Sequence, residues 1–287
     1  MSELLPDYYA NRDFFTANVF DVALKSDRVS MEAPFFSLST KPDLSIFRWS
    51  SKDGKRHVQI TPSVLGRATQ MDKDVLIYLV SQLMNGKNIK RADAHNRRIR
   101  FTVYDYLMAT NKPTGGKEYE RLEFALDRLK GTTIKTNIQM NAQLFKKAFG
   151  LIDDWCIIEK SPTDTRMVAV QVTLSEWLFN AICANEVLTL HKDYFRLRQP
   201  LARRLYEIAR KHCGNQATWK ILFVLLHEKS GSLSSLYEFR RMVRGIAQND
   251  IPEYKIQFDE STDQVIFLSK DPQKLIATIM KNEKHQR

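Results

Sequence analysis

Long apolar runs are missing from this 287-residue chain. The longest uncharged apolar stretch, VLIYLVSQLM from Val75 to Met84, falls far short of the roughly 20 residues a membrane-spanning helix needs, so no membrane partner is expected. Cysteine is scarce too: Cys156, Cys183 and Cys213 form no C-x-x-C pair and leave one unmatched under any pairing. That pattern fits a reducing compartment and three small buried hydrophobes better than a disulfide framework. With ten glycines and nine prolines, a collagen-like or low-complexity polymer is excluded. The opening residues, MSELLPDYYANRDFF, lack a basic stretch followed by an apolar one, so no secretory signal is read and a cytoplasmic location is expected.

Catalytic patterns are equally thin. The segment from Asn111 to Glu118 superficially resembles a phosphate loop, but no Gly stands five before Gly116 and Lys117 is followed by Glu118. The six histidines include no H-x-H or H-E-x-x-H spacing. Asp153-Asp154 is a lone carboxylate pair, weaker as a primase or nuclease metal site than as a strand edge. The expectation is a non-enzyme without metal or cofactor.

Charge is plentiful and unevenly placed. Lys and Arg number 44 against 33 Asp and Glu, for a formal charge of +11. Residues 1–54 carry six basic and eight acidic side chains, a net of −2, which leaves +13 on the remainder. Such a field favours polyanions, of which nucleic acid is the commonest large one in the cytoplasm.

Two stretches repeat one order of elements. In the first, a helix opens near Met71 with Leu76, Leu79, Val80 and Leu83 at helical spacing, RRIRF is a short strand, and Thr102 caps a helix over VYDYLMAT. After the Asn111–Gly116 turn, a third helix runs from about Lys117 to Lys130, followed by the β-rich runs TTIKTNI, LIDDWCIIEK and MVAVQVTL. SEWLFNAICA is a joint between halves. The second stretch starts at Pro200 with LARRLYEIARKHC, places Thr218 before a short helix WKILFVLLHE, and continues into SSLYEFRRMVRGIAQ and the hairpin EYKIQFDESTDQVIFLS. Thr102 and Thr218 stand 116 apart, whereas Ile134–Ile138 matches Tyr254–Phe258 at an offset of 120.

Helix, helix, turn, helix and hairpin is the order of a winged helix, whose third helix enters the major groove while the hairpin touches the backbone. The expected fold class is therefore α+β, two tandem winged-helix domains, each a helix bundle plus β-hairpin wing. The boundaries are an acidic segment 1–54 packing on or extending the first domain, domain 1 at 55–175, domain 2 at 176–272, and a basic tail at 273–287.

At about 100° per residue, Lys117, Arg121, Phe124 and Arg128 share one stripe of the first third helix, opposite Leu122, Leu126 and Leu129. Glu120, Glu123 and Asp127 form a separate acidic strip. In the second third helix, Phe239, Val243 and Ile246 face inward, and Tyr237, Arg240, Arg241, Arg244 and Gln248 face out with only Glu238 nearby. Arginine, glutamine and tyrosine together are the set that contacts base edges and phosphates. On the wings, Lys135 and Asn137 alternate with core isoleucines, Lys146-Lys147 sits in the following loop, and Lys255 and Gln257 project from the second hairpin. Arg203, Arg204, Arg210 and Lys211 mark the polar side of a scaffold helix, where solvation is expected.

The strings NRDFFTANVFD, FFSLSTKPD, FTVYDYLMATN, GGKEYERL, LKGTTIKTNI, LTLHKDYFRL, PLARRLYEIARKHCG and LYEFRRMVR together resemble the plasmid replication initiator protein A family over roughly residues 11 to 258. The resemblance implies a plasmid replication initiator that binds directly repeated double-stranded DNA (iterons) at the origin. It also implies origin opening beside the repeats and recruitment of the host initiator and replicative helicase. Lys117, Arg121 and Arg128, with Arg240, Arg241 and Arg244, fall on that family's DNA-binding helices. Initiators of this type exchange between repressing homodimers and active monomers, and residues 132 to 174 are the expected interface. A transcriptional repressor acting on its own promoter is the alternative reading.

Overall fold

Helix α2 (Lys73–Asn88) is buried on nearly every side, as a helix must be when it runs through the middle of a core. It belongs to a computed structural model that describes residues 4–9, 22–51, 53–91, 95–137, 147–161, 164–249 and 251–276. After α2 come strand β4 (Arg98–Phe101), α3 (Val103–Ala109), capped by Thr102 through its hydroxyl to the Asp105 amide, and α4 (Gly116–Gly131). Strands β7 (Ile152–Ser161) and β8 (Asp164–Leu174) then form a long antiparallel hairpin, and β8 also pairs with β4. Leu79, Leu107, Leu126 and Val172 are fully buried in this first core, each burial worth about 1.5–3 kcal/mol.

The second half repeats the pairing scheme. Helix α6 (Pro200–Cys213) is followed by β10 (Thr218–Leu222), α7 (Phe223–Ser230), α8 (Leu236–Ala247), β11 (Tyr254–Asp259) and β12 (Gln264–Ser269), with sheet order β10-β12-β11 matching β4-β8-β7. Here the structure corrects the sequence reading: Thr218 caps no helix, because residues 218–222 form a strand. Lys220 and Thr218 are exposed while Ile221 is buried, a period-2 pattern, and every residue of the strand pairs with β12. The N-cap positions of the two helices after these strands are Thr102 and Leu222, and the next helices begin at Gly116 and Leu236, so both pairs share an offset of 120.

A second correction concerns Lys135 and Asn137. The strand β5 (Thr133–Thr136) does not join the β7–β8 hairpin but a separate sheet, β2-β3-β5-β6, with β2 (Phe47–Ser50), β3 (His57–Thr61) and β6 (Lys147–Phe149). By pairing pattern, the counterpart of β11–β12 is β7–β8. Lys147 therefore opens a strand, and Lys146 lies outside the described residues. So do residues 277–287 of the tail.

Segment 1–54 reaches further than an extension of one domain. Strand β2 extends the first half, while β1 (Lys25–Asp27) pairs with β9 (Val187–Thr189) and helix α1 (Arg28–Glu32) packs on α6. Met31 and Ile77 join the second core. Helix α5 (Glu176–Cys183), capped by Ser175, leads into β9. Of the cysteines only Cys213 is buried; Cys156 and Cys183 are exposed, contrary to expectation.

Arg203 and Arg204 are not solvated: they are 1% and 2% exposed. Arg203 meets Asp74 of α2 and donates to the carbonyls of Leu197 (2.8 Å) and Phe195 (3.1 Å). Arg204 donates to the carbonyls of Ser30, Met31, Glu32 and Lys229. Glu207, fully buried, accepts from Gln70 and Tyr194, each at 2.7 Å, and its other oxygen lies 2.9 Å from the Lys73 ammonium. Burial first, and the Glu207 charge next, hold the Tyr194 phenol well above its ordinary pKa. Lys73 and Asp74 of α2 pair with Glu207 and Arg203 of α6 and join the two halves through buried charge that is paired, which offsets the cost of burying it. Arg210 likewise bonds the Thr189 carbonyl, and Lys211 lies 3.9 Å from Glu32.

Candidate nucleic-acid interface

Ser235 starts α8 by accepting the Glu238 amide, and Phe239, Val243 and Ile246 bury one side of it. The opposite side presents Tyr237, 80% exposed, with Arg241, Arg244 and Gln248 exposed and Arg240 half-buried. Arg240 and Arg244 lie over aromatic rings. The Arg240 guanidinium is 5.2 Å from the Phe223 centroid, and that of Arg244 is 5.7 Å from Phe223 and 5.8 Å from Phe258. Phe223 and Phe258 stack on each other at 5.6 Å.

Acids of the β11–β12 turn complete the arrangement. Arg240 donates to Asp263 at 2.6 Å and Arg244 to both oxygens of Glu260 at 3.0 Å, while Arg241 makes a two-pronged contact with Glu238 at 2.6 and 2.9 Å. The hydrogen bond from Arg241 lowers the Glu238 carboxyl below its usual range. Exposed pairs of this kind contribute about 0–1 kcal/mol each, so a phosphate or guanine edge can replace the carboxylate at small cost. Sequence reasoning does not single out Phe223, Phe258, Glu260 or Asp263; the last three lie within the hairpin string EYKIQFDESTDQVIFLS with no local signal that marks them.

The first half is less open. On α4, Lys117 is exposed and Arg121 exposed but paired with Glu118, and Phe124 stands 51% exposed between them and Arg128. Arg128 is drawn off the expected stripe: its guanidinium grips Asp72 with two 2.7 Å bonds, which raises its pKa and anchors the helix to the start of α2. Asn137 is also occupied, accepting the His57 amide at 2.6 Å and donating to the Lys55 carbonyl at 2.8 Å. Lys135 and Lys255 are exposed on sheet faces. Asp153 and Asp154 pair with Arg97 and Lys130 across the surface, and among the described residues no group of three His, Cys, Asp or Glu could hold a metal ion.

The family model for replication initiator protein A matches residues 25–256. The chain belongs to that family. A protein assigned to replication in Wigglesworthia glossinidia brevipalpis is 37% identical over 262 residues, covering 89% of this chain and 93% of the relative. The mixed α+β architecture is shared with two crystal structures of domains 2 and 3 of RctB. One has a TM-score of 0.58 at 13% identity and the other 0.55 at 11%; each covers 86% of this chain, with 99% and 98% of RctB domains matched. Family membership gives this chain a replication initiator role. Among the described residues, no helix is long and apolar enough to cross a membrane.

Proposed function

We propose that this family member initiates plasmid replication by binding directly repeated double-stranded DNA, each half acting as a winged helix with α4 or α8 in a major groove. The observation that carries the reading is the α8 face: three arginines, a tyrosine and a glutamine on a rigid, capped helix, two of the arginines pinned over Phe223 and Phe258. Arg bidentate to guanine and Gln to adenine give base readout, and Tyr237 is placed for a phosphate. Lys117 and Arg121 supply the weaker contacts of α4. Two modules in successive grooves cover a site of about 20 base pairs.

The protein acts without catalysis. Bound repeats concentrate it beside AT-rich DNA, where it opens the duplex and recruits the host initiator and replicative helicase. Homodimers that repress and monomers that initiate exchange through the first half, where β7, ten residues long, forms the outer strand of its sheet, an edge able to pair with a second copy.

The test is plasmid maintenance. A plasmid carrying only the origin is supplied in trans with wild-type chain, with R240A/R244A, or with D153A. Maintenance by wild type and by D153A but not by R240A/R244A supports the reading. Loss with D153A alone would point to catalysis instead.

A further inference from the structure

The face of sheet β2-β3-β5-β6 turned away from the core has a composition unlike the rest of the surface. Trp49, Val58, Ile60 and Ile134 point into the core, so the alternate positions line the other side. The register sets Arg48, Gln59 and Lys135 directly across three strands, with Ala148 opposite Lys135 on β6. Ser50 opposes His57 in the next row, their side chains 3.0 Å apart. A shallow open cavity of about 530 Å³ lies over these side chains, and none of the residues lining it is acidic.

The charges here also differ from those on α4 and α8. Arg121, Arg128, Arg240, Arg241 and Arg244 each hold a carboxylate, whereas Arg48 and Lys135 have no ion pair among the described residues and are both exposed. Two unpaired cations roughly 10 Å apart, at about 4.8 Å per strand, flank an amide on a rigid sheet.

We propose that this sheet face is a second DNA contact, a platform for the sugar-phosphate backbone of double-stranded DNA that adds affinity without reading sequence. Arg, Lys, Gln, Ser and His are the donors used for phosphate and sugar. The absence of carboxylates removes the repulsion that a polyanion would meet elsewhere on the chain. A double strand is favoured over a single one, because among the described residues the exposed face offers no Phe, Tyr or Trp ring on which successive bases could stack, only the His57 imidazole, which is bonded to Ser50; Trp49 is 9% exposed and turned inward. The proposal rests on the chain binding DNA, not on which helix reads the bases.

The experiment titrates full-length wild type and R48A/K135A by fluorescence anisotropy between 50 and 200 mM salt. The probes are a random-sequence 30-base-pair duplex, a duplex carrying the origin repeat, and a 30-nucleotide dT strand, with thermal unfolding as the fold control. Each phosphate contact contributes about 0.9 to the log–log salt slope, so losing two lowers the slope by about 1.8. Wild-type affinity for both duplexes then falls about twelve-fold more steeply across that range than the variant's, while the preference for the repeat stays constant. A slope unchanged to within about 0.5, or an equal loss on the dT strand, overturns the platform. Wild type showing no preference for the repeat overturns the proposed function instead and leaves the slope comparison readable. R48E serves if the double variant fails to fold, and must weaken duplex binding.

Discussion

Replacing Arg203 with alanine should cost more stability than any surface substitution, because it strips one partner from a fully buried ion pair. Its guanidinium holds Asp74, which is 0% exposed, and caps the carbonyls of Leu197 and Phe195; it also lies 5.4 Å over the Tyr194 ring. After the substitution Asp74 keeps Lys112, at 2.5 Å, as its one ion-pair partner among the described residues. Breaking a buried pair on one side costs about 3–5 kcal/mol, a large part of the roughly 5–15 kcal/mol that stabilises a domain. At about 2–4 °C per kcal/mol for chains of this size, the Tm falls by about 6–20 °C. Arg97, whose pair with Asp153 is 38% and 45% exposed, is the control, with under about 1 kcal/mol expected. Thermal unfolding followed by circular dichroism reads both. A Tm drop for R203A no larger than that for R97A would refute the argument that the two halves are joined through this buried charge.

Other consequences follow from the same contacts. E260Q/D263N removes the acids that occupy Arg244 and Arg240, so affinity for random duplex at low salt should rise several-fold and the repeat-to-random ratio fall, as read by competition binding. Gly231 sits at φ +73° and an added Cβ would lie 2.5 Å from the Pro34 Cβ; G231A should therefore lose about 1–3 kcal/mol in urea unfolding. Burial would raise the Asp43 carboxyl, but hydrogen bonds from Ser45 and Arg67 outweigh it and bring the pKa to about 2. Against burial, bonds from His212 and Lys229 likewise hold Glu32 well below its ordinary value. A depressed carboxylate adds stability that is complete above its unfolded pKa and lost on acidification. Unfolding midpoints should thus drop between about pH 4 and pH 2, and less so in D43N.

Helix faces were legible in the residues because a 3.6-residue period is local: Leu122, Leu126, Phe239 and Val243 are buried where their spacing puts them. Pairing was not. Residues 219–222 read as helix because Trp219-Lys220-Ile221-Leu222 runs into an apolar helix without a break, and only pairing with β12 across the sheet selects the extended form. Lys135 alternates correctly with Ile134, yet which sheet it joins depends on β3, some 75 residues away. Arg203 and Arg204 look like a solvated helix edge until Asp74 and the α1 carbonyls arrive from distant segments. The exposed arginine-bearing face of α8 was visible; the acids and phenylalanines that hold its arginines were not, since they come from the hairpin and from α7.

The most direct test of the account is a DNase footprint of the full chain on its plasmid's origin. The account predicts protection of each direct repeat over about 20 base pairs, abolished by R240A/R244A in a protein that still binds random duplex. Protection of the repeats by R240A/R244A equal to wild type would contradict it.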